Sequence, residues 1–213
     1  MLDQTTLDTL WDFSDPAASE QRFRAALQDG TFEARTFDEA ERRELATQLG
    51  RAIGLQGRFE EADALLDGID SELDPTIAVR VLLERGRVLN SSGHAAMAVP
   101  LFEQAAELGE HLGEEFLTAD AFHMLAIADA GHAVSWARAG IEYARDAHSA
   151  RAQRWCISLH GNLGWLFLDA GEPAQALVEF QLAEQWASRV GTPAQAEWAL
   201  EGIEACRAAE NGG

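Results

Sequence analysis

The stretch His160–Ala183 reads HGNLGWLFLDAGEPAQALVEFQLA, and its reading decides the fold. Leu163, Gly164 and Phe167 recur at helical spacing, Gly171 breaks the helix, and Pro173 starts another that carries Ala176, Phe180 and Ala183 on one face. This is small-to-large packing written in sequence: Gly164 admits a neighbouring helix and Phe180 fills the gap one turn on. Gly171 is also the last rung of a ladder. Gly57, Gly93, Gly131 and Gly171 follow one another at intervals of 36, 38 and 40 residues, and five residues after each stands Ala62, Ala98, Trp136 or Ala176. A period near 40 built on glycine, alanine and aromatic residues predicts stacked helical hairpins, each hinge ending on a residue with positive φ.

The rest of the chain agrees. Helix signals run throughout, and strand alternation is nearly missing. Ser14-Asp15-Pro16 opens a helix, Thr36 with Glu39 fits a capping box for one from Phe37 to Gln56, and Phe59 to Asp70 returns. Further helices are expected over Pro75–Ser92, Ala95–His111, Glu114–Ala130, His132–His148, Ala150–Ala170, 173–190 and from Pro193 onward, about ten in all, with a frayed tail at Asn211-Gly212-Gly213. No Pro/Gly/Ser-rich linker divides them. The expected organisation is a single helical-repeat domain: capping helices over 1–36, four repeats over 37–191 and a capping helix over 192–213. Leu7, Leu10, Trp11 and Phe13 are apolar enough to cap the open end of the stack or, alternatively, to form a dimer contact.

Composition narrows the function. The 213 residues carry a net charge of -20, which argues against nucleic acid and against anionic membrane surfaces. No apolar run approaches the length of a bilayer span, and Met1-Leu2-Asp3-Gln4 does not open a signal peptide. Lysine is absent and all 16 cations are arginine, so a Schiff-base lysine or a phosphate loop with its lysine is excluded. Cys156 and Cys206 lie inside apolar helical patterns and read as buried thiols of a reducing, cytoplasmic compartment, with one disulfide as the alternative.

Four units carry the pattern in detail. Leu49, Gly50, Ile53, Gly57, Phe59, Ala62 and Leu66 form the first; Gly86, Leu89, Gly93, Ala98, Phe102 and Ala105 the second; the quoted stretch is the fourth. The third departs, with Trp136 where a small residue is expected and Gly140 where an aromatic is expected, a volume-conserving swap within one turn. From Arg43 to Val190 the chain resembles the tetratricopeptide repeat family. The resemblance implies an all-α, right-handed α-solenoid of antiparallel helix pairs whose first helices line a concave groove for peptides or extended protein segments. The family's lysine-and-asparagine carboxylate clamp has no counterpart set here.

Helical period assigns a groove-facing stripe to each first helix. The stripes are Glu44, Thr47 and Arg51; Arg80, Leu83, Arg87 and Asn90; Thr118, Ala121, Leu125 and Asp129; and Ser158, Gly161, Trp165 and Asp169. Arg51, Arg80 and Arg87 either converge as guanidinium forks for a carboxylate or phosphate, or pair with Glu44 and Glu84. Trp165, with Leu125 and Leu83, is either a hot spot for a peptide or core against Trp155 or the last helix, and Trp198 on that helix can itself fill the groove. No three histidines or carboxylates converge for a metal, no nucleophile has a supporting base, and no cofactor motif is present. The expected function is therefore a non-enzymatic module that binds a protein or peptide partner. The alternatives are a homodimeric scaffold joined through Trp11, Phe13 or Trp198, and a regulatory sensor of a peptide or small molecule.

Overall fold

A computed structural model describes every residue except Met1, Asp3, Ala34, Leu73 and Gly213, and every described side chain except those of Gln4, Glu210, Asn211 and Gly212. Gly213, in the tail expected to fray, lies outside the described residues. The fold is all-α: antiparallel helix pairs joined by short turns, grouped in two compact units, Met1–Leu112 and Gly113–Gly213.

The first unit comprises α1 (Gln4–Leu10), α2 (Pro16–Asp29), a two-residue ribbon of β1 (Thr31–Phe32) and β2 (Arg35–Thr36), α3 (Glu39–Gly54), α4 (Phe59–Asp67), α5 (Pro75–Ser91) and α6 (Ala95–Leu112). Asp15 and Asp74 cap α2 and α5 immediately before a proline, whose missing N–H costs nothing at a helix start. The capping box of α3 lies two residues later than Thr36 and Glu39: Asp38 accepts from the Glu41 amide and Glu41 accepts from the Asp38 amide. Thr36 is taken up by the ribbon, opposite Thr31. Leu7, Leu10, Phe23, Leu45, Ile53, Ala62 and Leu66 share one core, and Trp11 packs on it. Phe13 does not join it and is 62% exposed.

The second unit comprises α7 (Glu115–Ala128), a 3-10 turn (Ala130–His132), α8 (Ala133–Asp146), α9 (Ala150–Gln153), α10 (Trp155–Asp169), α11 (Pro173–Val190) and α12 (Pro193–Gly212). The helix expected over Ala150–Ala170 is divided at Arg154, where the backbone stays helical in φ and ψ. Within helix pairs the glycine-for-ring packing is as anticipated. A Cβ on Gly164 would meet Phe180 at 2.7 Å, and one on Gly86 would run into Phe102.

The third rung of the ladder differs. Gly57, Gly93 and Gly171 have φ of 76°, 86° and 76°, whereas Gly131 sits inside the 3-10 turn without a positive φ. That turn shifts the anchor by one residue. The fully buried alanine of α8 is Ala137, followed by Ile141 and the buried Ala144, at the spacing of Ala98, Phe102, Ala105 and of Ala176, Phe180, Ala183. Anchors Ala62, Ala98, Ala137 and Ala176 recur at 36, 39 and 39 residues, a more even ladder than the glycines. Trp136 and Gly140 are therefore not the exchanged pair. Leu125 holds the glycine's place and Ile141 the ring's, while Gly140 lies under Phe122, whose Cβ is 2.8 Å from where its own would be.

Candidate functional site

The corrected ladder aligns the first helices residue by residue. Arg51 and Arg87 of the first unit correspond to Ala126 and Trp165 of the second; Gln48 and Glu84 correspond to His123 and Asn162; Leu55 and Ser91 correspond to Ala130 and Asp169. In each unit these three positions form one stripe along the first helices, but they are used differently.

In the first unit the stripe is closed by the chain's own charges. Arg80 Nη2 lies 2.6 Å from Glu44 Oε1, and the other oxygen of this buried carboxylate accepts from the Leu2 amide. Arg87 donates to Glu84 Oε1 at 2.7 Å, and Arg51 approaches the same oxygen at 4.0 Å. Gln48 accepts from the Trp11 indole at 2.9 Å, while the Arg51 guanidinium lies over the Trp11 and Phe13 rings, which stack 4.5 Å apart. The three arginines expected to grip a ligand's anion thus pair with Glu44 and Glu84. Leu83 is 1% exposed and belongs to the core, and Asn90 is half-buried, its carbonyl taken by the Ser92 and Gly93 turn.

In the second unit the stripe is open. Two clefts flank Asn162 of α10. One, of about 280 Å³, is lined by Ala126, Ile127, Ala130 and Ala133 on one side and Asn162, Trp165, Leu166 and Asp169 on the other. The other, of about 310 Å³, is lined by His123, Ile157, Ser158, Asn162 and α12 residues Ala194, Gln195 and Trp198. Trp165 rests edge-on against Phe180 with ring centroids 5.0 Å apart and keeps 37% of its surface exposed. Trp198 is seated on Gly161, where no side chain opposes it, so the last helix fills one part of the α10 face and leaves Trp165 and Asp169 uncovered. Among the described residues, neither the Asn162 amide nor the Asp169 carboxylate has a hydrogen-bond or ionic partner.

The α7 residues expected in the groove stand elsewhere: Thr118, Ala121 and Leu125 are fully buried, and in the corrected register Leu125 faces the partner helix. Asp129 binds its own turn: it accepts from the Trp136 indole at 2.9 Å and lies 3.0 Å from His132 Nδ1. The Trp136 hydrogen bond, with His132 beside it, holds the Asp129 carboxyl below the usual range against the opposing effect of burial. Asn162 was missed by the sequence reading; its signal was its place three residues before Trp165, on the same helix face.

The remaining polar groups of the second unit hold its helices together. Buried His160 lies 2.7 Å from Glu179 Oε2, and Arg138 donates to Glu179 Oε1 at 2.6 Å, so this triad ties α8, α10 and α11 together. Burial pushes the Cys156 thiol up to about 11, which keeps it protonated and unreactive near neutrality. Cys206 is likewise buried and free. Among the described residues no three His, Cys, Asp or Glu side chains are grouped to hold a metal, and no helix is long and apolar enough to cross a membrane.

Comparison with known proteins agrees with this architecture. No curated protein matches the chain's sequence. Among solved structures the chain is similar to the crystal structure of BtubC (BKLC) from P. vanneervenii, with a TM-score of 0.64 at 17% identity, over 93% of this chain and 83% of that one. A likeness at that identity speaks for the fold alone. A family model described as a tetratricopeptide repeat matches residues 10–78 and 79–115, and such repeats generally mediate protein–protein interaction. With the repeat anchors continuing through Ala137 and Ala176, the chain belongs to the tetratricopeptide repeat family.

Proposed function

We propose that this chain is a non-enzymatic interaction module that binds a peptide or extended protein segment along the α10 face, between α7 and α12. The observation that supports this reading is Asn162, an amide without a partner among the described residues, set between two clefts and one turn from a half-exposed tryptophan. An extended backbone needs a donor and an acceptor at intervals, and an apolar pocket beside them for a side chain; an asparagine amide offers both, and Trp165 offers the pocket wall. Trp165 and Asp169 remain as contact residues. Arg51, Arg80 and Arg87 become supports of the first unit. The test is panning a random peptide display library on the protein and measuring the selected peptides against Trp165→Ala and Asn162→Ala. Loss of binding in both variants supports the reading, and unchanged binding in both removes it.

A second reading has one observation in its favour. Phe13, stacked on Trp11 and capped by Arg51, is a large exposed ring on an otherwise acidic surface, which suits a contact between copies of the chain. Sedimentation at rising concentration distinguishes it: a dimer that Phe13→Ser dissociates favours self-association, and a monomer throughout excludes it.

A further inference from the structure

The same face also carries information about its partner's chemistry, an inference that rests on the binding role proposed above. Residues 113–213 hold 14 carboxylates and six arginines. The arginines are engaged away from the clefts. Arg138 is paired with Glu179, Arg145 with Asp146, and Arg154 with the Val190 carbonyl. Arg151 lies over Phe116, Arg189 over Trp186, and Arg207 has an interaction of its own. No arginine lines either cleft, and the chain has no lysine. Asp169 therefore stands beside an apolar cleft with no partner among the described residues. The cleft walls beside it, Ile127, Trp165 and Leu166, are 46%, 37% and 38% exposed. A carboxylate next to open apolar surface, in a field of the same sign, selects a cation that follows an apolar side chain.

The spacing fixes the separation. Trp165 and Asp169 are four residues apart on α10, about 6 Å along the axis. An extended chain covers that distance in about two residues. Asn162, nearly one turn in the other direction from Trp165, meets the backbone on the side away from Asp169. We infer that the α10 face takes an extended segment of a basic protein partner, with an apolar residue seated on Trp165, Leu166 and Ile127 and a lysine or arginine two positions away on Asp169.

The experiment is to pan a random dodecamer display library on the full chain and again on Asp169→Arg, and to measure the selected peptides by calorimetry. The expected consensus is an apolar residue and a Lys or Arg separated by one position, in either order. Asp169→Asn should weaken those peptides about threefold to fivefold, and low salt should strengthen them. Panning on Asp169→Arg should enrich an Asp or Glu at that separation instead. Peptides without a cation at that spacing, bound equally by Asp169→Asn but lost on Trp165→Ala and Asn162→Ala, would overturn this inference and leave the binding role intact. No enrichment, or binding indifferent to Trp165→Ala and Asn162→Ala, would remove both. A wild-type dimer that Trp165→Ala dissociates would make the face a contact between copies and overturn the basic partner.

Discussion

Residues 48, 51, 84 and 87 of the first unit and residues 123, 126, 162 and 165 of the second occupy the same repeat positions, yet one set is closed and the other open. In the first unit Glu84 pairs with Arg87 through one carboxylate oxygen, Gln48 holds the Trp11 indole, and Arg51 covers the Trp11–Phe13 stack. In the second, Asn162 has no partner among the described residues, and Trp165 stands half exposed above an apolar cleft. Repeat position alone does not make a binding residue. What matters is whether the neighbouring first helix, or the chain before it, supplies the complement.

The largest effect should come from opening the closed set. Glu44→Ala leaves Arg80, 9% exposed, without its carboxylate and removes the acceptor of the Leu2 amide. Stranding a buried charge costs about 3–5 kcal/mol, so the urea midpoint of the first unit should fall steeply. A midpoint within error of wild type would mean the pair is solvated and the unit is not closed in the way described.

The buried triad of the second unit gives the next effect, through pH. Burial pushes the Glu179 carboxyl up, but the hydrogen bonds from His160 and Arg138 outweigh it and leave it below the usual glutamate value. A group with a depressed folded-state value contributes stability above its unfolded-state value, and that contribution is lost as pH falls through the folded one. Thermal stability should therefore drop on acidification below about pH 4.5, the unfolded reference, and Glu179→Gln should flatten that drop. An acid limb of equal slope in both proteins would count against the triad.

A smaller contrast tests the corrected ladder. Gly93→Ala forces a side chain to φ of 86° and should cost about 1–2 kcal/mol. Gly131→Ala has no such conformation to strain, with only Asp129 Oδ1 at 3.8 Å from the new Cβ, and should stay within about 0.5 kcal/mol of wild type. Equal costs at both sites would count against the corrected register. The smallest effect belongs to the open set: Asp169→Ala should change stability by less than about 0.5 kcal/mol, because that carboxylate has no partner among the described residues.

The helices, their hinges and the small-to-large packing could be read from the sequence because each rests on local chemistry: a proline after an aspartate, a glycine before a turn, an alanine facing a ring. The α10 stripe was legible for the same reason, since Ser158, Trp165 and Asp169 mark a face between buried apolar residues. On α7 that contrast fails. Leu117, Ala119, Ala121, Met124, Leu125 and Ala126 are all buried, so no polar face sets the phase, and Gly131 pointed to a register one residue off. The arginine pairs show a different limit. Glu44 and Glu84 were visible as partners, but whether the arginines turn to them or to a ligand depends on how closely α3 and α5 approach. That distance is a matter of tertiary packing.

The most direct test of the contrast between the two units is the affinity of one panned peptide for Trp165→Ala and for Arg87→Gln, each confirmed folded by circular dichroism. The prediction is a loss of about tenfold or more at Trp165, the scale of an interface hot spot, and wild-type affinity at Arg87. Wild-type affinity at Trp165 with the loss at Arg87 would contradict the account, and would make the first unit's arginine stripe the binding face.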